Sequence, residues 1–138
     1  MTTHYHLIVT PADKRALPLA MQSIGVRYVQ YFNRKYQRVG TLWCGRYRAL
    51  ILDDERYWLT CLRYVEQSPV RAGMVSEPAT YRWSSYGVHA LGRGPDWLEL
   101  HPLYLALGRS PSERQIAYRT ACAAPVSGEQ LAERRLGS

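Results

Sequence analysis

Phenylalanine occurs once in this chain of 138 residues and cysteine three times, at Cys44, Cys61 and Cys122, with no CxxC spacing. An odd, unspaced set of thiols argues against a disulfide scaffold or a zinc knuckle and for a reducing, cytoplasmic compartment. No apolar run approaches the ~18–20 residues of a membrane span, so neither a transmembrane protein nor a membrane partner is expected. The opening MTTHYHLIVTPADK lacks a basic stretch followed by a long apolar one, so no secretory signal is expected. Repeats and low-complexity tracts are missing too. Hydrophobic residues at 46% and charged residues at 21% are the composition of a globular chain. The length suits one core and not two.

Lysine is scarce: it supplies two of the 18 cations, and Arg, suited to bidentate phosphate contact and to stacking on bases, supplies 16. The formal charge is +7, and residues 13–48 hold all of the excess, with eight basic residues against Asp13. Eleven Tyr and four Trp stand beside the single Phe, amphipathic rings of the kind a stacking surface for unpaired bases uses. A solvated basic face with a Tyr-rich core would give the same counts, so composition favours a polyanionic partner without deciding for it.

Residues 3–10 (THYHLIVT) alternate and are β-branched, which predicts a strand ending at Pro11, with His4 and His6 on one face. Apolar groups at Leu17, Ala20, Met21, Ile24, Tyr28, Tyr31 and Phe32 predict a helix over 17–36, stopped at Gly40. Residues 41–43 and 46–52 read as a hairpin about Cys44–Gly45. Asp53, Asp54 and Glu55 predict the start of a helix running to Ser68, with Pro69 as a kink and Gly73 as the stop. Within it Trp58, Cys61, Leu62 and Val65 form one stripe, and Tyr57, Tyr64 and Ser68 another. Residues 83–86 suggest a short turn or helix, 92–95 a loop, and His101–Pro102 a short helix. Ser110, Pro111 and Glu113 match a capping box opening a last helix to about Ala124. The tail, 127–138, is polar and expected to fray.

Two side chains carry the chemical interest. Alternate histidines on a strand can chelate one cation, although on spacing alone such a pair is more often exposed and idle. Tyr64 shares a helix face with Ser68, and a divalent cation beside a phosphate would help a phenol act as nucleophile. Tyr57 is its rival, and a half-buried Tyr is the commoner fate of either. His89 and His101 receive no role.

HYHLIVTP, RYVQYFNRKYQRVGTLWCGRYRALIL, ERYWLTCLRYVEQSPVRAGMV, YRWSSY and HPLYLALG follow one another over residues 2–108, with a weaker echo in RQIAYR at 114–119. In this order they resemble the REP-associated tyrosine transposases, a branch of the single-tyrosine HUH transposases. The resemblance implies that His4 and His6 hold Mg²⁺ or Mn²⁺. It also implies that Tyr64, not Tyr57, attacks single-stranded DNA, leaving a 5′-phosphotyrosine and a free 3′-OH. Ser68 stands where the family has an Asn or Gln metal ligand, a shorter and weaker donor.

The fold so implied is α+β: a ferredoxin-like HUH-nuclease domain, an antiparallel sheet with helices on one face. Residues 1–75 would be its catalytic part and 76–138 a helical C-terminal extension. Family members carry a strand and a helix before the HUH strand, so this chain is expected to be N-terminally truncated and, alone, not a competent enzyme. The expected activity is metal-dependent nicking and strand transfer; the alternative is a decayed remnant that only binds single-stranded nucleic acid. Expected partners are single-stranded DNA, including hairpin-forming repeats, and a second copy on the open strand edge. Arg27, Arg34, Lys35, Arg46 and Arg48 are the candidate phosphate contacts. Leu7, Val9, Ile24, Tyr28, Phe32, Leu50, Leu52, Trp58, Leu62 and Val65 are the expected core.

Overall fold

The computed structural model describes residues 3–124; the expected tail at 127–138 lies outside them. The elements are helices: α1 (Ala16–Tyr36), α2 (Glu55–Arg71), a 3₁₀ turn (Pro78–Thr80), α3 (Tyr86–Leu91), α4 (Pro102–Leu105) and α5 (Pro111–Ala123). Among the described residues there is no strand and no sheet, so the ferredoxin-like α+β expectation is overturned. Alternation makes a segment able to be a strand; a ladder of hydrogen bonds to a neighbour makes it one. Residues 3–10 have no such ladder, and Tyr5, Leu7 and Val9 are exposed.

The expected hairpin over 41–52 is irregular as well. Thr41 Oγ1 accepts from the Trp43 backbone N–H at 3.1 Å and donates to the Trp43 carbonyl at 3.4 Å. Local bonds of this kind compete with a ladder for the same backbone groups.

The chain divides into two compact units. One comprises residues 8–51 and is built on α1. Asp13 Oδ1 caps the approach to α1, accepting from the N–H of Arg15 at 2.6 Å and of Ala16 at 3.0 Å. The helix ends at Tyr36, as its spacing predicts, but the residue that stops it is Gln37, left-handed at φ 49°, and not Gly40. Asn33 secures the exit, its side-chain N–H donating to the Gly40 carbonyl at 2.8 Å. Tyr28 lies 6.1 Å from Phe32 and 5.8 Å from Trp43 between ring centres, a loose aromatic row. Ile24 and Tyr28, expected in the core, are exposed, as are Leu7, Val9 and Leu50.

The other unit joins the N-terminal residues to 52 onward and holds the core. Backbone N–H groups of Tyr57 and Trp58 reach the Asp54 carbonyl, so α2 starts where its acids favour the positive helix end. It runs through Pro69 to Arg71. A left-handed Gly73 (φ 66°) closes it: Gly73 N–H donates to Val70 and Met74 N–H to Pro69, the paired bonds of a Schellman stop. Trp58, Cys61 and Leu62 are buried, with Ala90 of α3, Tyr104 of α4 and Tyr118 of α5. α2 packs on the 3₁₀ turn and on α4, and α5 packs on α3 and α4. Ser110 caps α5 as its sequence predicts, with both bonds of the capping box present.

Candidate active site

The N-terminal segment and α2 bring three of the expected residues together. The His4 and His6 rings are 5.0 Å apart between centres, and His6 is 6.4 Å from the ring of Tyr64. Tyr64 is half-buried, both histidines are exposed, and the rival Tyr57 is buried. A cation held at ~2.1 Å by one nitrogen of each ring needs the ring centres within roughly 6 Å, and this pair meets that condition. Among the described residues no third His, Cys, Asp or Glu joins them in a metal-binding group. Two imidazoles suit an open site completed by oxygen from a substrate.

Ser68 is buried and points elsewhere than an open ligand would. Its hydroxyl donates to the Tyr64 carbonyl at 2.7 Å, and accepts from Arg71 Nη2 at 3.0 Å. The guanidinium carbon of Arg71 lies 3.8 Å from the centre of the Tyr64 ring, over its face. Sequence reading missed Arg71, although Tyr64, Ser68 and Arg71 follow at i, i+4 and i+7 on one helix face.

An adjoining face of α2 fastens it to the rest of the unit. Glu66 is 1% exposed, and its carboxylate accepts from Ser85 Oγ at 2.5 Å and from Tyr118 Oη at 2.6 Å. His89 Nδ1 lies 2.8 Å from the same carboxylate. Gln67 adds a bond to the Cys122 carbonyl at 2.8 Å, and Tyr104 donates to the His89 carbonyl at 2.7 Å. Burial, and next the adjoining Glu66 carboxylate, push the Tyr118 phenol far above its ordinary value. Burial raises the phenols of Tyr86 and Tyr104 too, and the Cys122 thiol. His101, also without an expected role, caps α4 through Nδ1 and stacks on Trp58 at 4.1 Å. The signal for Glu66 was its register: it lies four residues after the buried Leu62, on an apolar stripe where a carboxylate needs partners.

The candidate phosphate contacts Arg27, Arg34 and Lys35 lie on α1, with Arg46 and Arg48 on the irregular segment after it, and all five are exposed. Lys35 Nζ donates to Tyr31 Oη at 3.3 Å, a bond that raises its pKa, and sits over the rings of Tyr31 and Tyr36. None of the three cysteines is in a disulfide. No described helix is long and apolar enough to cross a membrane. Compared with known protein families, with curated proteins and with solved structures, the chain gives no match.

Proposed function

We propose that this chain acts on single-stranded DNA, nicking and rejoining it through Tyr64. The observation that carries the reading is the approach of His6 to Tyr64, at 6.4 Å between ring centres, from a segment far away in sequence. This is the pairing that the resemblance to the single-tyrosine transposases requires.

In the proposed step Tyr64 Oη forms a bond to phosphorus and the bond from phosphorus to the 3′ oxygen breaks. The electron pair leaves on that oxygen, which takes up a proton, while the phenolic proton passes to solvent. The products are a 5′-phosphotyrosine and a free 3′-OH. Mg²⁺ or Mn²⁺, held by His4 and His6, would supply the charge that makes the phosphate more electrophilic. Arg27, Arg34, Lys35, Arg46 and Arg48 serve strand binding, since phosphate contacts position a strand whatever its sequence.

A second reading, a protein that binds single strands without cutting them, is favoured by Ser68. Its hydroxyl is engaged by the Tyr64 carbonyl and a cationic guanidinium, a poor environment for a metal ligand. Incubation with an end-labelled single-stranded oligonucleotide and Mn²⁺, followed by a denaturing gel, separates the two. The nicking reading expects a covalent protein–DNA adduct that disappears in His4→Ala with His6→Ala. Retarded DNA on a native gel, with no adduct on the denaturing one, leaves the binding reading alone.

A further inference from the structure

We infer that Arg71 binds the scissile phosphate beside Tyr64, an inference that rests on the reading of Tyr64 as the nucleophile. Its guanidinium is anchored through a single nitrogen: Nη2 donates to the Tyr64 carbonyl and, at 3.0 Å, to Ser68 Oγ. Among the described residues no carboxylate pairs with it, and Nη1 and Nε have no protein acceptor. Nη1 and Nε thereby keep free N–H donors at a fixed place over the Tyr64 ring, each able to donate a bond to a phosphate oxygen from a fixed positive charge.

Helix termination does not account for this placement. A basic residue in a last turn commonly serves the free carbonyls there. In α2 those carbonyls are already taken: Ala72 N–H donates to Ser68, Met74 N–H to Pro69 and Gly73 N–H to Val70, each at 2.9 Å. Arg71 instead reaches back two turns to Tyr64. Pro69 lacks the N–H that would bind the Val65 carbonyl, which loosens the helix just beyond Tyr64. Ser68, with its hydroxyl bonded back to Tyr64, holds the Arg71 nitrogen at that loosened place. Ser68 is thus a positioning residue and Arg71 the one that meets the substrate. Negative charge builds on the phosphoryl oxygens as the tyrosine oxygen attacks, and a preorganised cation is worth most at that moment.

The test uses the full chain, Mn²⁺ and an oligonucleotide whose cleaved linkage has been mapped with the wild type. Arg71→Ala should slow adduct formation at saturating DNA by ~10²–10³-fold, with an unchanged thermal melt. Arg71→Lys should recover part of the rate, since it restores the charge without the planar set of fixed donors. In a Tyr64→Phe background, Arg71→Ala should also weaken binding of the 5′-phosphorylated product strand by ~10-fold. A neutral methylphosphonate at the cleaved linkage should slow the wild type and leave Arg71→Ala with no further loss. Adduct formation by Arg71→Ala at the wild-type rate would overturn the inference while leaving Tyr64 in place, as would fully additive losses from the variant and the methylphosphonate. Absence of any adduct from the wild type would overturn the reading of Tyr64 and the inference with it.

Discussion

Tyr118 of α5 donates its hydroxyl to Glu66 of α2 at 2.6 Å, and both side chains are sealed from solvent. Around that bond Ser85 and His89 complete the shell of the carboxylate. A buried carboxylate is costly unless its lone pairs are met, so the helices that supply the donors must stay where they are. α2 therefore carries two polar stripes, side by side. Arg63, Glu66 and Gln67 fasten the helix to later elements, and Tyr64, Ser68 and Arg71 lie on the adjoining face.

Removing the carboxylate should be severe. Glu66→Ala leaves the hydroxyls of Ser85 and Tyr118 and the His89 ring without their acceptor, and breaking a buried pair of this type costs ~3–5 kcal/mol. Domains of this size hold only ~5–15 kcal/mol. Urea unfolding should show a midpoint lowered by about a fifth or more, with Glu66→Gln less affected. An unchanged midpoint would mean that the network contributes nothing net.

Alkaline pH should unfold the protein through Tyr118. A phenol with a raised pKa keeps its proton in the folded chain above pH ~10, where the unfolded chain loses it. The stabilisation is complete below ~10 and declines as pH rises beyond it, with Tyr86 and Tyr104 adding in the same direction. Tyr118→Phe should make the alkaline slope of stability shallower by about one proton, ~1.4 kcal/mol per pH unit. An identical slope in the variant would contradict this.

Helices were legible where the sequence carried a local cause. The stripe from Leu17 to Phe32 marked α1, and Ser110 with Glu113 marked the start of α5, because periodicity and caps act within a few residues. Residues 3–10 were misread because their alternation is local while a strand's partner is not. Ile24 and Tyr28 were placed in the core by the same reasoning: an apolar stripe shows which face could be buried, and exposure shows that nothing in their unit covers it. In the candidate site, His4, His6 and Tyr64 were readable by resemblance. Arg71 was not, because its role depends on which carbonyls the Gly73 stop leaves free. Glu66 was passed over because a charged residue is usually solvated, and its donors Ser85, His89 and Tyr118 are distant in sequence.

Binding to single strands should be strongly salt-dependent. The unit spanning residues 8–51 holds eight basic residues and one acid. With ~4–5 phosphates contacted, log K should fall against log[salt] with a slope of roughly −3. Arg27→Ala with Arg46→Ala should flatten it by about one. Affinity indifferent to salt, or to the double substitution, would remove this surface from the account.

The central claim is that Tyr64 is the group that attacks DNA. Mass spectrometry of tryptic peptides from protein trapped on a single-stranded oligonucleotide tests it most directly, with Tyr64→Phe and Tyr57→Phe run alongside. The account predicts a nucleotide-modified peptide containing Tyr64, lost in Tyr64→Phe and retained in Tyr57→Phe. Modification at Tyr57, or an adduct that survives in Tyr64→Phe, would contradict it.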